Sequence, residues 1–241
     1  MNGKERMKLA LNHKSGKIPM DFGSLLVTGM HASCVAALRN HYRLPDNPVK
    51  IVDPYQMLGE IDAELRTCMG IDTLGIPPYA NIFGVPNTDW KPWSTPWGQH
   101  VLIPGNLQIL PDGKDLVTFP QGDTNAPPSA RMPEGGYFFD SLNRQEDFDD
   151  DELTAEGNLE EFGPVSKDVL AYYSTQRQHP EIDTLCAVTD FGGTGLGDIA
   201  LVPGPGLKYP KGIRDVAEWY ISTVMRQDIL HEIFEKQTDI A

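Results

Sequence analysis

The stretch "CAVTDFGGTGLGDIALVPGPG" at residues 186–206 raises the question on which the fold depends, namely whether it is a nucleotide-binding loop. Residues 195–200 fit the pattern G-x-G-x-x-A, and a strand-like run at 184–191 precedes them. That loop type needs a helix that begins at the glycines, because the helix amino terminus holds the pyrophosphate. The prolines and glycines at 203–206 would interrupt such a helix after about two turns. We therefore predict a loop after a strand, whose glycines let a ligand or another chain approach; a turn that binds nothing is the alternative.

Composition and charge exclude several classes of partner. The 241 residues carry a formal net charge of −14, so the chain has no general attraction for nucleic acid or anionic lipid. Three widely spaced cysteines, Cys34, Cys68 and Cys186, indicate no disulfide framework. No apolar run is long enough for a signal peptide or a membrane span. We expect a cytoplasmic protein, and the sequence leaves open whether it forms a homo-oligomer.

The apolar pattern predicts helices that alternate with buried strands. We expect strands at residues 17–23, 71–78 and 184–191 and helices at residues 4–13, 28–42, 53–70, 167–179, 214–225 and 228–241. The helix at 53–70 has the clearest signals, because Asp53, Pro54 and Gln56 form a capping-box pattern and Gly70 follows its apolar stripe. Alternation of this kind is typical of a parallel sheet in an α/β fold.

Two regions depart from this alternation. Prolines and glycines separate short extended runs throughout residues 77–136, which predicts an inserted region of β-hairpins. Residues 144–162 are strongly acidic, and we expect a solvated connector there. Because only three main strands are visible and the last helical pattern still continues at Ala241, residues 1–241 are expected to be the first part of a larger α/β domain.

Nine segments in a fixed order carry a family resemblance. They are "RMKLALNHKSGKIPMDFG", "VTGMHAS", "DPYQMLGEID", "GIDTLGIPP", "DWKPW", "PQGD", "PPSARMPEGGYFFD", "NLEEFGP" and "FGGTGLGDIALVPGPGLKYPKGIRDVAEWY". Together they resemble the uroporphyrinogen decarboxylase superfamily, and most closely its methyltransferase-like branch of corrinoid-linked methyltransferases and O-demethylases. The resemblance implies a (β/α)8 TIM barrel, of which this chain would be an incomplete part with about the first three βα units and the β insertion.

The same resemblance implies a function and its cofactors. A methyl group would move from a small methylated substrate, such as a methyl ether, to a corrinoid carried by a partner protein. A zinc ion would act as a Lewis acid, but its His and Cys ligands would lie in later strands, beyond Ala241. "HASC" at residues 31–34 lacks the glycine of the family's H-x-C-G type motif, so we expect no metal ligand and no bound cofactor in the isolated chain.

Three residues are candidates for substrate binding, because polar side chains at the carboxyl ends of barrel strands form the active sites of TIM barrels. They are Asp21 after the first strand, His31 in the following loop and helix, and Asp190 at the end of the third strand. Each has a structural alternative: Asp21 as a helix cap, His31 as a core histidine, and Asp190 as an anchor of the glycine loop.

Two other functions remain open. A true uroporphyrinogen decarboxylase needs arginines for a substrate with many carboxylates, and the corresponding stretch "MDFGSLLVTGMHAS" at 20–33 contains neither arginine nor lysine. The chain would otherwise be an inactive fragment or a half-barrel that needs a partner chain, because an open parallel edge leaves backbone groups unpaired.

Overall fold

The computed structural model describes residues 1–191 and 195–241, which form an α/β fold of helices and three sheets. The helices are α1 Gly3–Leu11, α2 Ala32–His41, α3 Ala63–Met69, α4 Lys167–Gln176, α5 Val216–Met225 and α6 Gln227–Ile240. The strands are β1 Val49–Asp53, β2 Leu58–Gly59, β3 Thr73–Ile76, β4 Lys91–Ser94, β5 His100–Ile103, β6 Ile109–Asp112, β7 Asp115–Thr118, β8 Ala130–Met132, β9 Asp140–Ser141 and β10 Cys186–Thr189. No helix within the described ranges has the length and apolar character needed to cross a membrane.

The chain divides into two compact units. The first comprises Met1–Asn81, Asn87–Gly105 and Ser166–Phe191, and the second comprises Ile82–Pro86, Asn106–Val165 and the described residues 195–241. The first unit therefore contains α1 to α4, β1 to β5 and β10, and the second contains β6 to β9 with α5 and α6. The strands of the region 77–136 are shared between the units, with β4 and β5 in the first and β6 to β8 in the second.

The first unit contains two sheets. One has the strand order β2-β1-β5-β4, in which β1 is parallel to β5 and antiparallel to β2. In the other, β3 pairs in parallel with β10, and the crossover that leads into β10 includes α4. Ile51 is buried on β1, along which burial alternates, and Val101, Ile103 and Leu65 are buried in the same unit.

An extended segment runs beside β3, where the sequence predicts the first strand at 17–23. The Asp72 N–H donates to the Met20 carbonyl at 2.8 Å, and a Cβ on Gly75 would lie 2.5 Å from the Ser24 carbonyl oxygen. Gly75 therefore permits the close approach of the segment to the strand. Its residues form no strand in the structure, so the first predicted strand is present only as an extended neighbour of β3.

A buried ion pair attaches α1 to the beginning of β3. Asp72 is 1% exposed, and Arg6 Nε donates to both of its carboxylate oxygens at 3.0 Å. The Met20 N–H donates to the same carboxylate at 3.0 Å. The Arg6 hydrogen bonds, helped by the Met20 N–H, hold the pKa of Asp72 below its usual range, so the pair stays ionised at neutral pH.

The predicted helix at 53–70 is wrong over its first half. Its amino-terminal residues finish β1, form a turn and then form β2, and α3 begins only after Asp62, whose side chain accepts the Leu65 N–H at 2.9 Å. Asp53 does accept backbone N–H groups, from Tyr55 at 3.1 Å and from Gln56 at 3.3 Å, but these bonds close a turn. The same residue types cap helices and form such turns, and the local pattern does not distinguish the two.

Tertiary packing decides whether the residues after Asp53 form a helix or a turn. A Cβ on Gly59 would lie 2.6 Å from Val49 and 2.9 Å from Val35, so the β1–β2 hairpin packs closely against α2 through this glycine. The predicted end of the segment is confirmed, because Gly70 adopts a left-handed conformation with φ of 69° and ends α3. The other predicted helices are confirmed with small shifts of their ends, as are the strands that became β3 and β10.

The second unit combines an antiparallel sheet with two helices. Its strands follow the order β6-β7-β8-β9, and each pairs with the next along the chain. The helices α5 and α6 contribute to a core cluster formed by Ala155, Val202, Ile213, Trp219, Leu230 and Ile233. Within the described ranges the sheets have four, two and four strands and none of them closes into a barrel.

Candidate functional site

The carboxyl ends of β3 and β10 lie side by side at one edge of their parallel pair. Ile76 is the last paired residue of β3 and stands opposite Thr189 of β10. The Thr189 hydroxyl donates to the Ile76 carbonyl at 3.0 Å and so joins the two strand ends. Ligands of α/β proteins bind outside the carboxyl ends of parallel strands, which makes this edge the first place to look for a site.

Aromatic rings continue from these strand ends in a connected series. The ring centroids of Tyr79 and Tyr172 are 5.7 Å apart, those of Tyr172 and Tyr173 are 5.2 Å apart, and those of Tyr173 and Phe191 are 5.0 Å apart. All three pairs meet edge to face, at interplanar angles of 70° to 80°. We call Tyr79, Tyr172, Tyr173, Asp190 and Phe191 the aromatic edge.

The tyrosine hydroxyls fix the rings to the strand ends. The Tyr172 hydroxyl donates to the Pro77 carbonyl after β3 at 2.9 Å, and the Tyr173 hydroxyl donates to the Asp190 carbonyl after β10 at 3.4 Å. Burial, with a smaller contribution from Tyr173, raises the pKa of Tyr172 to about 12. The Tyr172 hydroxyl is therefore a protonated donor throughout the neutral range and holds the ring in place.

Both tyrosines come from α4, whose position depends on a local cap. The Ser166 hydroxyl accepts the Val169 N–H at 3.3 Å and so begins the helix at Lys167, as the sequence predicts. One turn later, neighbouring positions of the helix direct Tyr172 toward the end of β3 and Tyr173 toward the end of β10.

Part of the aromatic edge faces solvent. Phe191 is 49% exposed and Tyr79 is 37% exposed, although both rings belong to the connected series. The side chain of Asp190 is also exposed, next to Phe191. The edge therefore offers apolar ring surface together with one carboxylate, a combination suited to a small ligand with apolar groups.

Of the three predicted site residues, Asp190 belongs to this edge and Asp21 does not. The Thr73 hydroxyl donates to Asp21 Oδ1 at 2.5 Å, and Thr73 is the first residue of β3. Since a strand advances about 3.3 Å per residue, the beginning of β3 lies about 10 Å from its carboxyl end. Asp21 stands beside the beginning because the extended segment places Met20 next to Asp72.

His31 caps α2, which packs against the sheet with the strand order β2-β1-β5-β4. Its Nδ1 accepts the Ser33 N–H at 3.2 Å at the beginning of α2, and lies 2.7 Å from the Ser33 hydroxyl oxygen. Its backbone bridges Leu58, and its ring centroid lies 5.2 Å from that of Trp97. These contacts make His31 a half-buried helix cap, which differs from the core histidine that the sequence left open as its structural alternative.

The described ranges contain no group of three or more His, Cys, Asp or Glu residues that could hold a metal ion. The cysteines are free: Cys34 and Cys68 are exposed, and Cys186 is half-buried at the start of β10. In the acidic connector, Arg226 Nε donates to Asp150 at 2.7 Å, and Lys236 pairs with Glu156, so at least these carboxylates are neutralised by cations of the same unit.

The described part of the glycine loop does not have the structure of a nucleotide-binding loop. Residues 192–194 of the loop lie outside the described ranges. From Gly197 to the beginning of α5 the chain makes only turns and bends, so no helix follows the glycines and the dinucleotide pattern does not apply. A Cβ on Gly195 would lie 3.0 Å from Phe162, and one on Gly197 would lie 3.2 Å from Phe234. These glycines make room for aromatic rings of the chain itself.

Sequence reasoning missed Tyr79, Tyr172 and Tyr173. The available signal was the pair of adjacent tyrosines on a capped helix that precedes a strand, with Asp190 and Phe191 directly after that strand. Neither a protein-family model, nor a curated protein, nor a solved structure matches this chain. The candidate site therefore rests on the geometry of the described residues.

Proposed function

We propose that the chain forms the first βα units of a uroporphyrinogen decarboxylase-like TIM barrel and takes part in methyl transfer. The methyl group would pass from a small methylated donor to a corrinoid on a partner protein. The order of the nine sequence segments supports this proposal, as does the parallel pair of β3 and β10 with α4 in its crossover.

The observation that carries the proposal is the position of the aromatic edge. Exposed ring surface and the exposed residue Asp190 follow the carboxyl ends of two parallel strands, where barrel enzymes bind their substrates. Methyl groups are apolar, and rings that are already fixed by hydrogen bonds to the backbone bind them with little loss of side-chain entropy.

The proposal assigns binding and orientation of the donor to this chain. The rings of Tyr173 and Phe191 would contact the methyl groups and keep water from one side of the donor. The resemblance implies a zinc ion that polarises the donor atom, but the residues that the structure describes do not form a set of three ligands.

Methyl transfer to a reduced corrinoid is the direct test. The protein is incubated with the corrinoid and with methylated donors, and formation of the methylated corrinoid is followed by absorbance. We expect transfer that falls about fivefold in Phe191→Leu, since a ring contact of this kind contributes about 1 kcal/mol. Tyr220→Leu is the matched control, because Tyr220 is an aromatic residue of α5 that is 57% exposed.

The same preparation should release no carbon dioxide from uroporphyrinogen. Decarboxylation of uroporphyrinogen without any methyl transfer would replace the proposal by the decarboxylase alternative. Methyl transfer that Phe191→Leu and Tyr220→Leu reduce equally would contradict the placement of the donor at the aromatic edge.

A further inference from the structure

We infer that two copies of this chain pair about a two-fold axis through the exposed face of α5. This face consists of Ala217, Tyr220, Ile221, Val224 and Met225, and we call it the outer face of α5. It lies in the second compact unit, whereas the aromatic edge lies in the first, so the pairing does not depend on the proposed function.

The two sides of α5 have opposite environments. Trp219 is 6% exposed and belongs to the core cluster, and its ring centroid lies 6.1 Å from that of Phe234 on α6. Ala217 and Val224 lie about 140° to 160° around the helix axis from Trp219, on the side away from the core. Val224 is 74% exposed and Ala217 is also exposed, so the described part of the chain leaves this side of the helix open to solvent.

The outer face is apolar along its length. Ala217, Tyr220, Ile221 and Val224 follow the spacing i, i+3, i+4 and i+7, which is the spacing of a stripe by which one helix packs against another. Tyr220 is 57% exposed, Ile221 is 46% exposed and Met225 is 73% exposed. A surface helix normally has one apolar side, and α5 has a second one, which is the character of a helix that is covered on both sides.

Charge favours a second copy as the partner. Glu218 is the only charged residue within α5, and Arg226 Nη1 donates to its carboxylate at 3.2 Å. The outer face itself contains no charged residue, although the chain carries a formal net charge of −14. Two such chains repel each other overall, and a neutral face is where they can approach, because it meets its own image without bringing like charges together.

The helix dipole favours an antiparallel pair. In that arrangement the positive amino end of each α5 lies beside the negative carboxyl end of the other. A two-fold axis across the helix produces it and uses the same residues in both copies. With the axis between Ile221 and Val224, Tyr220 of one copy lies opposite Met225 of the other, and a thioether beside an aromatic ring is a favourable contact.

The exposed area sets the strength of the pairing. At about 150 Å² or more for a fully exposed large apolar residue, the exposed part of the outer face amounts to roughly 400 Å² in each copy. Two copies would then bury roughly 800 Å² in total, below the value of about 1,200 Å² from which specific interfaces are stable. We therefore expect a reversible dimer with a dissociation constant on the order of 100 μM.

Analytical ultracentrifugation of the whole chain measures this association. The weight-average mass should rise from 26.7 kDa toward twice that value as the concentration increases from about 5 μM to about 500 μM. A monomer over the whole range would overturn the inference. A mass that continues to rise above twice that of the chain would also overturn it, because a two-fold contact closes at two copies.

The salt dependence distinguishes an apolar contact from an ionic one. Salt screens the repulsion between two chains of the same net charge, so the dimer should become tighter when sodium chloride is raised from about 0.05 M to about 0.5 M. A contact between opposite charges would respond in the opposite direction. Association that weakens in salt would therefore overturn the assignment to the outer face.

A charge at the centre of the face is the next test. Val224→Glu should retain the fold, because Val224 is 74% exposed, and should weaken dimerisation at least about tenfold, because the carboxylate would be buried against the partner. Val27→Glu is the matched control, since Val27 is 88% exposed in the first unit and the substitution changes the net charge equally. Equal effects of the two substitutions would overturn the inference.

A mixture of two variants tests the symmetry. Val224→Lys alone should also remain monomeric, because two cations would meet across the axis. An equimolar mixture of Val224→Glu and Val224→Lys should associate again, because opposite charges then lie across the axis. A mixture that stays monomeric would overturn the two-fold pairing and would leave the outer face to a partner other than a second copy.

Discussion

The glycine loop of the second unit and the aromatic edge of the first differ in how their polar groups are used. Beside the loop, Arg214 is 1% exposed, and its guanidinium donates to both carboxylate oxygens of Glu161, at 2.7 and 3.1 Å. It also donates to the carbonyls of Lys211 at 2.6 Å and Gly157 at 2.7 Å. The cation is buried with its partners, and its role is to hold chain segments together.

A second arginine holds the loop from another direction. Arg144 donates to the carbonyl of Gly204 at 2.6 Å and to that of Leu207 at 2.6 Å. Burial, and then the nearby charge of Arg214, lowers the pKa of Arg144 to about 10. Two arginines and several backbone carbonyls thus fix the segment that resembled a ligand-binding loop in the sequence.

At the aromatic edge the backbone carbonyls are also occupied, by the hydroxyls of Tyr172 and Tyr173. The remaining groups, however, are exposed: ring surface of Tyr79 and Phe191 and the Asp190 carboxylate. Polar groups that are buried with their hydrogen-bond partners stabilise the fold. Exposed side chains that are held in position by the surrounding structure are available to bind a ligand. We therefore expect the glycine loop to contribute to the stability of the fold and the aromatic edge to contribute to ligand binding.

The largest expected effect concerns Arg214. Arg214→Met should lower the free energy of unfolding by about 3 kcal/mol, because it leaves Glu161 and two backbone carbonyls without their donor. Urea denaturation measures this loss. The exposed Arg177→Met is the control, with an expected change within about 0.5 kcal/mol. A loss below about 1 kcal/mol for Arg214→Met would contradict the stabilising role of Arg214 beside the glycine loop.

The second prediction concerns the glycines of the loop. Gly197 has a φ of 80°, and its Cβ would lie 3.2 Å from Phe234, so Gly197→Ala should cost about 2 kcal/mol. Gly135 has a φ of 77° and no atom within 4 Å of its Cβ position, so Gly135→Ala should cost about 1 kcal/mol. Urea denaturation of both variants gives the difference, which measures the packing of Phe234. Equal losses would show that the backbone conformation alone requires glycine at position 197.

The third prediction uses the pKa of Tyr172, which is raised from 10.0 to about 12. The folded protein holds this proton more tightly than the unfolded chain, so the contribution to stability is full below pH 10 and is lost between pH 10 and pH 12. Urea denaturation across this range should therefore show a loss of stability that Tyr172→Phe reduces. The same pH dependence in both proteins would mean that burial does not raise the pKa of Tyr172.

The smallest expected effect is on the stability of Asp190→Asn. Because the Asp190 side chain is exposed, the free energy of unfolding should change by less than about 0.5 kcal/mol. Urea denaturation of this variant measures the change. A loss above about 1 kcal/mol would instead support the interpretation of Asp190 as an anchor of the glycine loop.

The sequence was most informative where a local hydrogen bond decides the structure. Ser166 and Asp215 cap α4 and α5 by accepting the N–H groups of Val169 and Glu218, and both helices lie where the pattern predicts them. Asp53 shows the limit of this reasoning, since it accepts the same kind of N–H but closes a turn. The aspartate side chain accepts a backbone N–H in the same way in a helix cap and in a turn. Only the packing around Gly59 selects the turn at Asp53.

The candidate site was predictable only in part. Asp190 was found because it directly follows a strand, which is a local property. Tyr79 and Tyr172 are 93 positions apart, and they meet because β3 pairs with β10 across a long crossover. A pairing at that separation leaves no local pattern, and the loss of conformational entropy that it requires is recovered only when the packed unit forms.

By itself, then, the sequence determined the acidic balance and the positions of most helices and of β3 and β10, because these depend on composition and on contacts within a few residues. Only the tertiary structure decided that His31 caps α2, that Asp21 lies at the beginning of β3, and that the glycines at 195 and 197 pack against aromatic rings. Each of these outcomes depends on which distant segment lies against the residue, and close packing, rather than the identity of the residue, fixes that choice.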